Sequence, residues 1–459
     1  MTRNSRWQRR RQSHTRASHR ARKLLFQPLE GRRVFVIGAF DVPDPIEPIS
    51  SYDGVVDLGG GGGLLYTGRH ILTAAHVNDA RAPGYHARFE IQSNEFIGVP
   101  VKSLVNAPGW TGDFSDGRDI GIMELEWVAP FPAQRYDIYR DNDELFTAPN
   151  VVGYGLTGIG TSEPVELNGI TANRIADGNK RTGRNRWEAD GSLLSNEVMR
   201  VSVEGNPTGG TFRVRMGDQT TDPIPHDATA AEISAELDQL PGVAIDRVAG
   251  GPLSVRPVFV TFEGSVSLDD DWSTLGGGLT GGDDPRVRLR SFTRGDTFNL
   301  PNGTSFLYDM DNGTTTNDAF GMIYGIAGLG QGAAEGYAAG GDSGSPYFLD
   351  GKMVGIVSGG TSFNVNPPDY DPVDLALFLG SFGDIGIVTR VSAFESWIDS
   401  VLDDNYDLWL NMNVQPDAGD FSEDVIRARV VGNEIELVVN GQVYHRDLLS
   451  RIDSLKITG

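Results

Sequence analysis

The sequence predicts a mainly β protein assembled from several short-stranded units, and three observations carry that reading. Glycine is abundant at 59 residues, with 24 prolines and a hydrophobic fraction of only 39%. This mix favours turn-rich β structure over helices. From Tyr52 onward, short apolar runs recur between Gly-rich turns, as in "GLLYTG", "HILTAAHV", "FEIQ", "DIGIMELEWV" and "NVVGYG". Their lengths suit strands and their spacing suits a barrel or sandwich. Third, 459 residues leave room for roughly two to four domains at about 150 residues each.

Residues 1–48 read as a basic leader followed by a stiff linker carrying Pro43, Pro45 and Pro48. Residues 1–33 hold 11 of the 39 Lys and Arg and a single acid, Glu30, so the rest of the chain sets 28 basic against 61 acidic residues. A body this acidic argues against a nucleic-acid partner and suits a soluble extracellular protein that attracts cations. The basic head reads as a processed leader, with nucleic-acid binding as its alternative. No apolar run approaches the roughly 18 residues a membrane helix needs. A standard secretory signal is missing too, since the stretch after the Arg run is short and polar. There is no cysteine, which excludes disulfides, thiolate metal sites and cysteine nucleophiles.

The first globular stretch is expected over 49–195. A different texture starts at Asn196: "NEVMRVSVEG" and "GTFRVRMGD" alternate like strands, and "DATAAEISAELDQLPG" reads as a helix capped by Asp227 or Thr229. Strands "VAIDRV" and "VRPVFVTFEG" follow. Residues 196–285 are therefore expected to be an inserted ββαββ module, the alternative being an elaborate loop without its own core. The interrupted domain resumes over 286–402 and ends in "SAFESWIDSVL", an amphipathic helix with Ser392 as its N-cap and Phe394, Trp397, Ile398 and Leu402 as core. Residues 403–459 alternate like a β-rich extension, with Asn440-Gly441 as a hairpin turn.

Three segments carry the chemistry. "LTAAHV" ends a strand with His76, "RDIGIMELE" opens one with Asp119, and "GGDSGSP" puts Ser343 in a Gly-rich turn. A serine hydroxyl needs a nearby general base, histidine has a suitable pKa for that task, and a carboxylate fixes the base's tautomer. His70 and His86 are competing bases that read as loop residues. Asp113 and Asp116 compete with Asp119 but lie in "GWTGDFSDGR", where Asp is turn chemistry.

These segments resemble the chymotrypsin/trypsin family of serine proteases. "TAAHV" is similar to the family's TAAHC, with Val77 in place of cysteine, and "DIGIMEL" to its DI-x-L-x-x-L strand. "GDSGSP" differs from GDSGGP at Ser345, while "VGIVSGG" and "GIVTRVSAFESWI" resemble the substrate-lining strand and the closing strand with its helix. The resemblance spans residues 52–190 and 286–402. It implies a trypsin-like fold of two six-stranded antiparallel β-barrels, and a serine endopeptidase working through an acyl-enzyme. His76, Asp119 and Ser343 would be catalytic, with the Gly341 and Ser343 amides as the oxyanion hole and Asp342 bracing the turn. No IVGG-type start is present to supply the ammonium partner that Asp342 has in cleavage-activated relatives. "LLFQPLEGRRV" resembles an N-terminal motif of large secreted and surface proteins of some bacteria, and the inserted stretch resembles a module repeated in such proteins.

The same resemblance makes Ser358 and Gly360 substrate main-chain contacts, and Gly360 and Gly386 the walls of the primary specificity pocket, which two glycines would leave open. Tyr337 falls at its base, with Glu335 as a rival. Without a basal Asp, the pocket is expected to take an uncharged residue, medium or large and apolar. "YDMDNGTTTND" gathers Asp309, Asp311, Asn312 and Asp318. It reads as a solvated acidic turn, with a structural calcium loop as the alternative, since its glycine is one position early for an EF-hand. No organic cofactor and no catalytic metal is implied. The expected protein is secreted or at the cell surface and acts on a protein or peptide substrate. The alternatives are a protease-like adhesion module without catalysis and a surface protein that only processes itself.

Overall fold

The computed structural model describes residues 38–39, 51–92, 95–160, 164–167, 170–172, 174–263, 272–275, 278–293, 298–361, 381–415 and 424–459. The basic head and "LLFQPLEGRRV" lie outside them. The described residues are mainly β.

Six strands close into the first barrel, in the order Val55–Asp57, Gly61–Leu64, His70–Thr73, Gly121–Leu125, Glu95–Asn106, His86–Gln92. Closure leaves no unpaired edge. Alternation sets the inward face: Ala87 and Phe89 are fully buried while His86 is exposed. Both histidines read as loop residues instead open strands, at His70–Thr73 and His86–Gln92. His70 is buried, with Nδ1 hydrogen-bonded to Thr67 Oγ1 at 2.9 Å. The five-residue helix Ala75–Asp79 follows directly. Asn78 pins it to the barrel, its Nδ2 donating to Asn106 Oδ1 at 2.8 Å and Val105 O at 3.1 Å.

The expected second six-stranded barrel is instead a seven-stranded antiparallel sheet. Its order is Arg181–Arg184, Asn150–Gly153, Pro346–Leu349, Lys352–Thr361, Ile385–Arg390, Ser305–Asp309, Ala189–Asp190. The two end strands are neighbours in the chain, and residues 185–188 cross the gap between them. There Trp187 N donates to Thr147 O at 3.0 Å and Glu188 N to Leu307 O at 2.8 Å. A single crossing segment takes the place of a closing ladder.

Helix Glu395–Leu402 buries Ile398 and Leu402 in the first barrel's core. Ser392 does not cap it. A 3-10 turn, Ser392–Phe394, precedes the helix, and the Ser392 hydroxyl donates to Glu144 Oε1 at 2.5 Å.

Between the halves, helix Ala230–Leu237 starts at a capping box in which Thr229 and Glu232 bond reciprocally. Ile233 and Leu237 face a core that also holds Met199, Val201, Phe212, Val214, Val258, Val260 and Phe262. Strand Val198–Glu204 lies between Val258–Phe262 and Arg286–Thr293. The domain expected to resume at 286 therefore begins with a strand whose partner lies inside 196–285.

Residues 403–415 and 424–459 form a parallel pair, Tyr406–Asn411 with Ile452–Thr458, and a three-stranded antiparallel sheet. Asn440 and Gly441 both take positive φ, at 50° and 88°, as a tight hairpin turn requires. This region packs on the chain leaving the first barrel. The Trp127 and Trp409 rings lie 5.2 Å apart, and the Tyr444 hydroxyl donates to Ala129 O at 2.8 Å.

Candidate active site

His76 sits on helix Ala75–Asp79, one residue past the junction with strand His70–Thr73. Asp119 lies just ahead of strand Gly121–Leu125, which pairs with that strand. The register brings the two together. Asp119 is fully buried, and its Oδ1 accepts from His76 N at 2.9 Å. Its Oδ2 is 2.7 Å from His76 Nδ1, a pairing in which the imidazole donates to the carboxylate. The His76 side chain is 34% exposed, and its Nε2 has no hydrogen-bond partner among the described residues. A buried carboxylate thus fixes Nδ1 as the donor and leaves Nε2 as a proton acceptor.

The rival acids are occupied as the turn chemistry predicts. Asp113 accepts from Ser115 N at 2.9 Å, and Asp116 accepts from Thr111 N at 3.0 Å and Arg118 N at 2.8 Å.

The Ser343 turn is bonded to strand Gly61–Leu64, which pairs with the strand that leads into His76. Gly61 N donates to Ser343 O at 2.7 Å, and the Thr73 hydroxyl donates to Gly61 O at 2.7 Å. Gly344 N donates to Val357 O at 2.8 Å. Gly344 has φ 81°, and a Cβ there would collide with Thr73 Oγ1 and Gly61 O. Only glycine meets both demands. The Ser343 hydroxyl makes no hydrogen bond among the described residues. The Gly341 and Ser343 amides likewise have no acceptor there, so two N–H groups on one turn are left over.

Asp342, between them, is fully buried. Its Oδ1 accepts from Gly155 N at 3.1 Å, whereas Oδ2 has no partner among the described residues. Burial pushes its carboxyl well above the usual range.

Ser358 is 4% exposed, and its hydroxyl donates to Asp119 Oδ2 at 2.7 Å. Thr389 Oγ1 donates to Asp119 O at 3.0 Å. Sequence reasoning gave Ser358 to the substrate main chain, and the fold turns its side chain to the buried carboxylate.

Gly360 and Gly386 face each other across two strands, and Tyr308 pairs with Gly386 from the next. The open pocket expected from two glycine walls is filled by two tyrosines. A Cβ on Gly360 would strike the Tyr337 hydroxyl, and one on Gly386 the Tyr308 ring. Both tyrosines are fully buried, their rings 5.6 Å apart, and the Tyr337 hydroxyl donates to Ile385 O at 3.0 Å. Nothing in the sequence pointed to Tyr308, because its place depends on a long-range register. Glu335 is fully buried and committed elsewhere. Its Oε1 accepts from Asn185 Nδ2 at 2.6 Å and its Oε2 from Gln331 N at 2.5 Å. Burial raises its pKa to about 8.

The acidic loop is not the solvated turn that the sequence suggested. Asp309, Asp311 and Asp318 are buried. Asp309 and Asp311 converge on Glu188, a residue the sequence did not single out, while Asp318 caps helix Ala319–Ile323. All the donors in this group are oxygens, which suits a hard cation.

No protein-family model matches the chain. The tail sheath protein of Mycobacterium phage Bxz1 is 33% identical over 107 residues, which is 22% of this chain and 16% of that protein. Among solved structures, mouse neuropsin, described as a serine protease expressed in the limbic system of mouse brain, superposes with a TM-score of 0.36 at 12% identity. The match covers 79% of this chain and 99% of that one.

Proposed function

We propose that this chain is a serine endopeptidase of trypsin-like architecture, in which the closed barrel and the seven-stranded sheet stand for the two barrels of that fold. Ser343 attacks the scissile carbonyl, His76 Nε2 takes its proton and later delivers it to the leaving amine, and Asp119 orients the imidazole. The Gly341 and Ser343 amides stabilise the oxyanion. The observation that carries the reading is the Asp119 network. A fully buried carboxylate accepts from both His76 N and Nδ1 and leaves Nε2 without a partner among the described residues, while the Ser343 turn is bonded to Gly61, which also accepts from Thr73 at the end of the strand that leads into His76.

Residues 196–285, with the strand that follows, act as an inserted module with a core of its own. The protein works outside the cell or on its surface. Tyr308 and Tyr337 fill the space between the glycine walls, so the residue before the scissile bond is small and uncharged. A buried cationic side chain would meet no free carboxylate there.

The 107-residue likeness to a tail sheath protein favours a second reading. In it the chain is a non-catalytic or self-processing surface or assembly protein. Cleavage of a denatured protein added in trans, lost in Ser343→Ala, supports the first reading. An absence of cleavage in trans by the folded wild type supports the second.

A further inference from the structure

Five buried carboxylates, those of Glu188, Asp309, Asp311, Asp318 and Glu335, gather at the end of the second sheet. Among the described residues none of them pairs with Lys or Arg. Backbone and amide donors satisfy Glu335, and Asp318 Oδ1 accepts from Gly321 N at 2.5 Å. The other three are different. Glu188, Asp309 and Asp311 are 3%, 1% and 2% exposed, and one oxygen from each lies within 4.8 Å of the others. Each also keeps a buried oxygen without a hydrogen-bond partner among the described residues: Glu188 Oε2, Asp309 Oδ1 and Asp311 Oδ1.

Leaving three such atoms bare is costly, because a desolvated carboxylate needs a proton, a partner or a metal. We propose that Glu188, Asp309 and Asp311 bind one divalent cation of the calcium class. An all-oxygen, irregular set with no nitrogen or sulfur donor favours Ca²⁺ over zinc or Mg²⁺. Burial pushes all three carboxyls above their usual range, and the charge of Asp309 adds to the rise at Glu188 and Asp311.

The cation adds a link between segments already joined by Glu188 N donating to Leu307 O at 2.8 Å and Asn185 Nδ2 donating to Asp309 O at 2.7 Å. Glu188 lies on the segment that crosses the sheet's open gap, and Asp309 ends the strand that carries Tyr308. It therefore ties the crossing segment more firmly to the strand that carries Tyr308.

The test uses the full chain, stripped with a chelator and dialysed. Ca²⁺ is expected to raise the unfolding temperature saturably with one site per chain. Tb³⁺ is expected to luminesce on excitation of tryptophan, since Trp187 adjoins Glu188, and Ca²⁺ is expected to quench that signal competitively. Asp311→Asn loses both responses, and Asp318→Asn keeps them. If Asp311→Asn does not fold, Glu188→Gln is read the same way, and the wild-type titration decides alone. A stripped wild type that shows neither a Ca²⁺-dependent shift nor Tb³⁺ luminescence overturns the proposal, because protons then hold the cluster. Loss in Asp318→Asn with retention in Asp311→Asn overturns it too.

Discussion

Replacing Asp119 with Asn keeps shape and volume and removes one acceptor. The wild-type carboxylate accepts three hydrogen bonds, from His76 N at 2.9 Å, His76 Nδ1 at 2.7 Å and Ser358 Oγ at 2.7 Å. An amide cannot accept all three. If its oxygen stays on His76 N, its NH₂ faces Nδ1, which must then give up its proton to Nε2, the atom that has to receive the Ser343 proton. If the amide is turned over, its NH₂ opposes His76 N–H. Hydrogen bonds to a charged group contribute about 1.5–3 kcal/mol each. Losing one or two, at about 1.36 kcal/mol per tenfold in rate, predicts a fall in kcat of about 10 to 10⁴. Losing the charge beside the developing imidazolium places the outcome toward the upper end, with KM little changed. The assay is steady-state hydrolysis of a chromogenic peptide, with circular dichroism to establish the fold. A folded Asp119→Asn with near wild-type kcat refutes the orienting role of Asp119.

Three further outcomes are expected. Ser358→Ala leaves one buried oxygen of Asp119 short of a donor, so chemical denaturation should show a loss of about 1.5–3 kcal/mol and hydrolysis should fall less than in Asp119→Asn; an unchanged denaturation midpoint contradicts the hydrogen bond. Tyr337→Ala opens the space beside Gly360, so a peptide library read by mass spectrometry should shift from small toward larger apolar residues before the cleaved bond; an unshifted profile removes Tyr337 from the pocket. Burial lowers His70 and His445 from 6.5 to about 3. The unfolded chain therefore binds the extra protons, and this stability is present above about pH 6.5 and lost as pH falls toward about 3, by at most about 1.4 kcal/mol per pH unit for each histidine. His445→Gln should flatten that slope in urea melts, and an identical slope counts against the assignment.

The parts of the candidate site that the sequence could suggest are local, and of these the His76–Asp119 pairing is seen in the fold. His76, Asp119 and Ser343 each stand in a short motif whose geometry is set within a few residues, and the capping box at Thr229 is equally local. What stayed hidden depends on register across distant strands. Tyr308 reaches Gly386 only because Ser305–Asp309 pairs with Ile385–Arg390. Glu188 joins Asp309 through a crossing segment that no periodicity announces. The strand pattern at 286–293 was readable, but its partner, Val198–Glu204, was not. Glycines at 360 and 386 suggested open space because a sequence does not say which side chains fill it.

The most direct test of the account is labelling of the folded wild type with a fluorophosphonate probe, mapped by mass spectrometry. One adduct per chain is expected, on Ser343, absent from Ser343→Ala and strongly slowed in His76→Ala. A folded wild type that takes no label, or takes it on another residue, contradicts it.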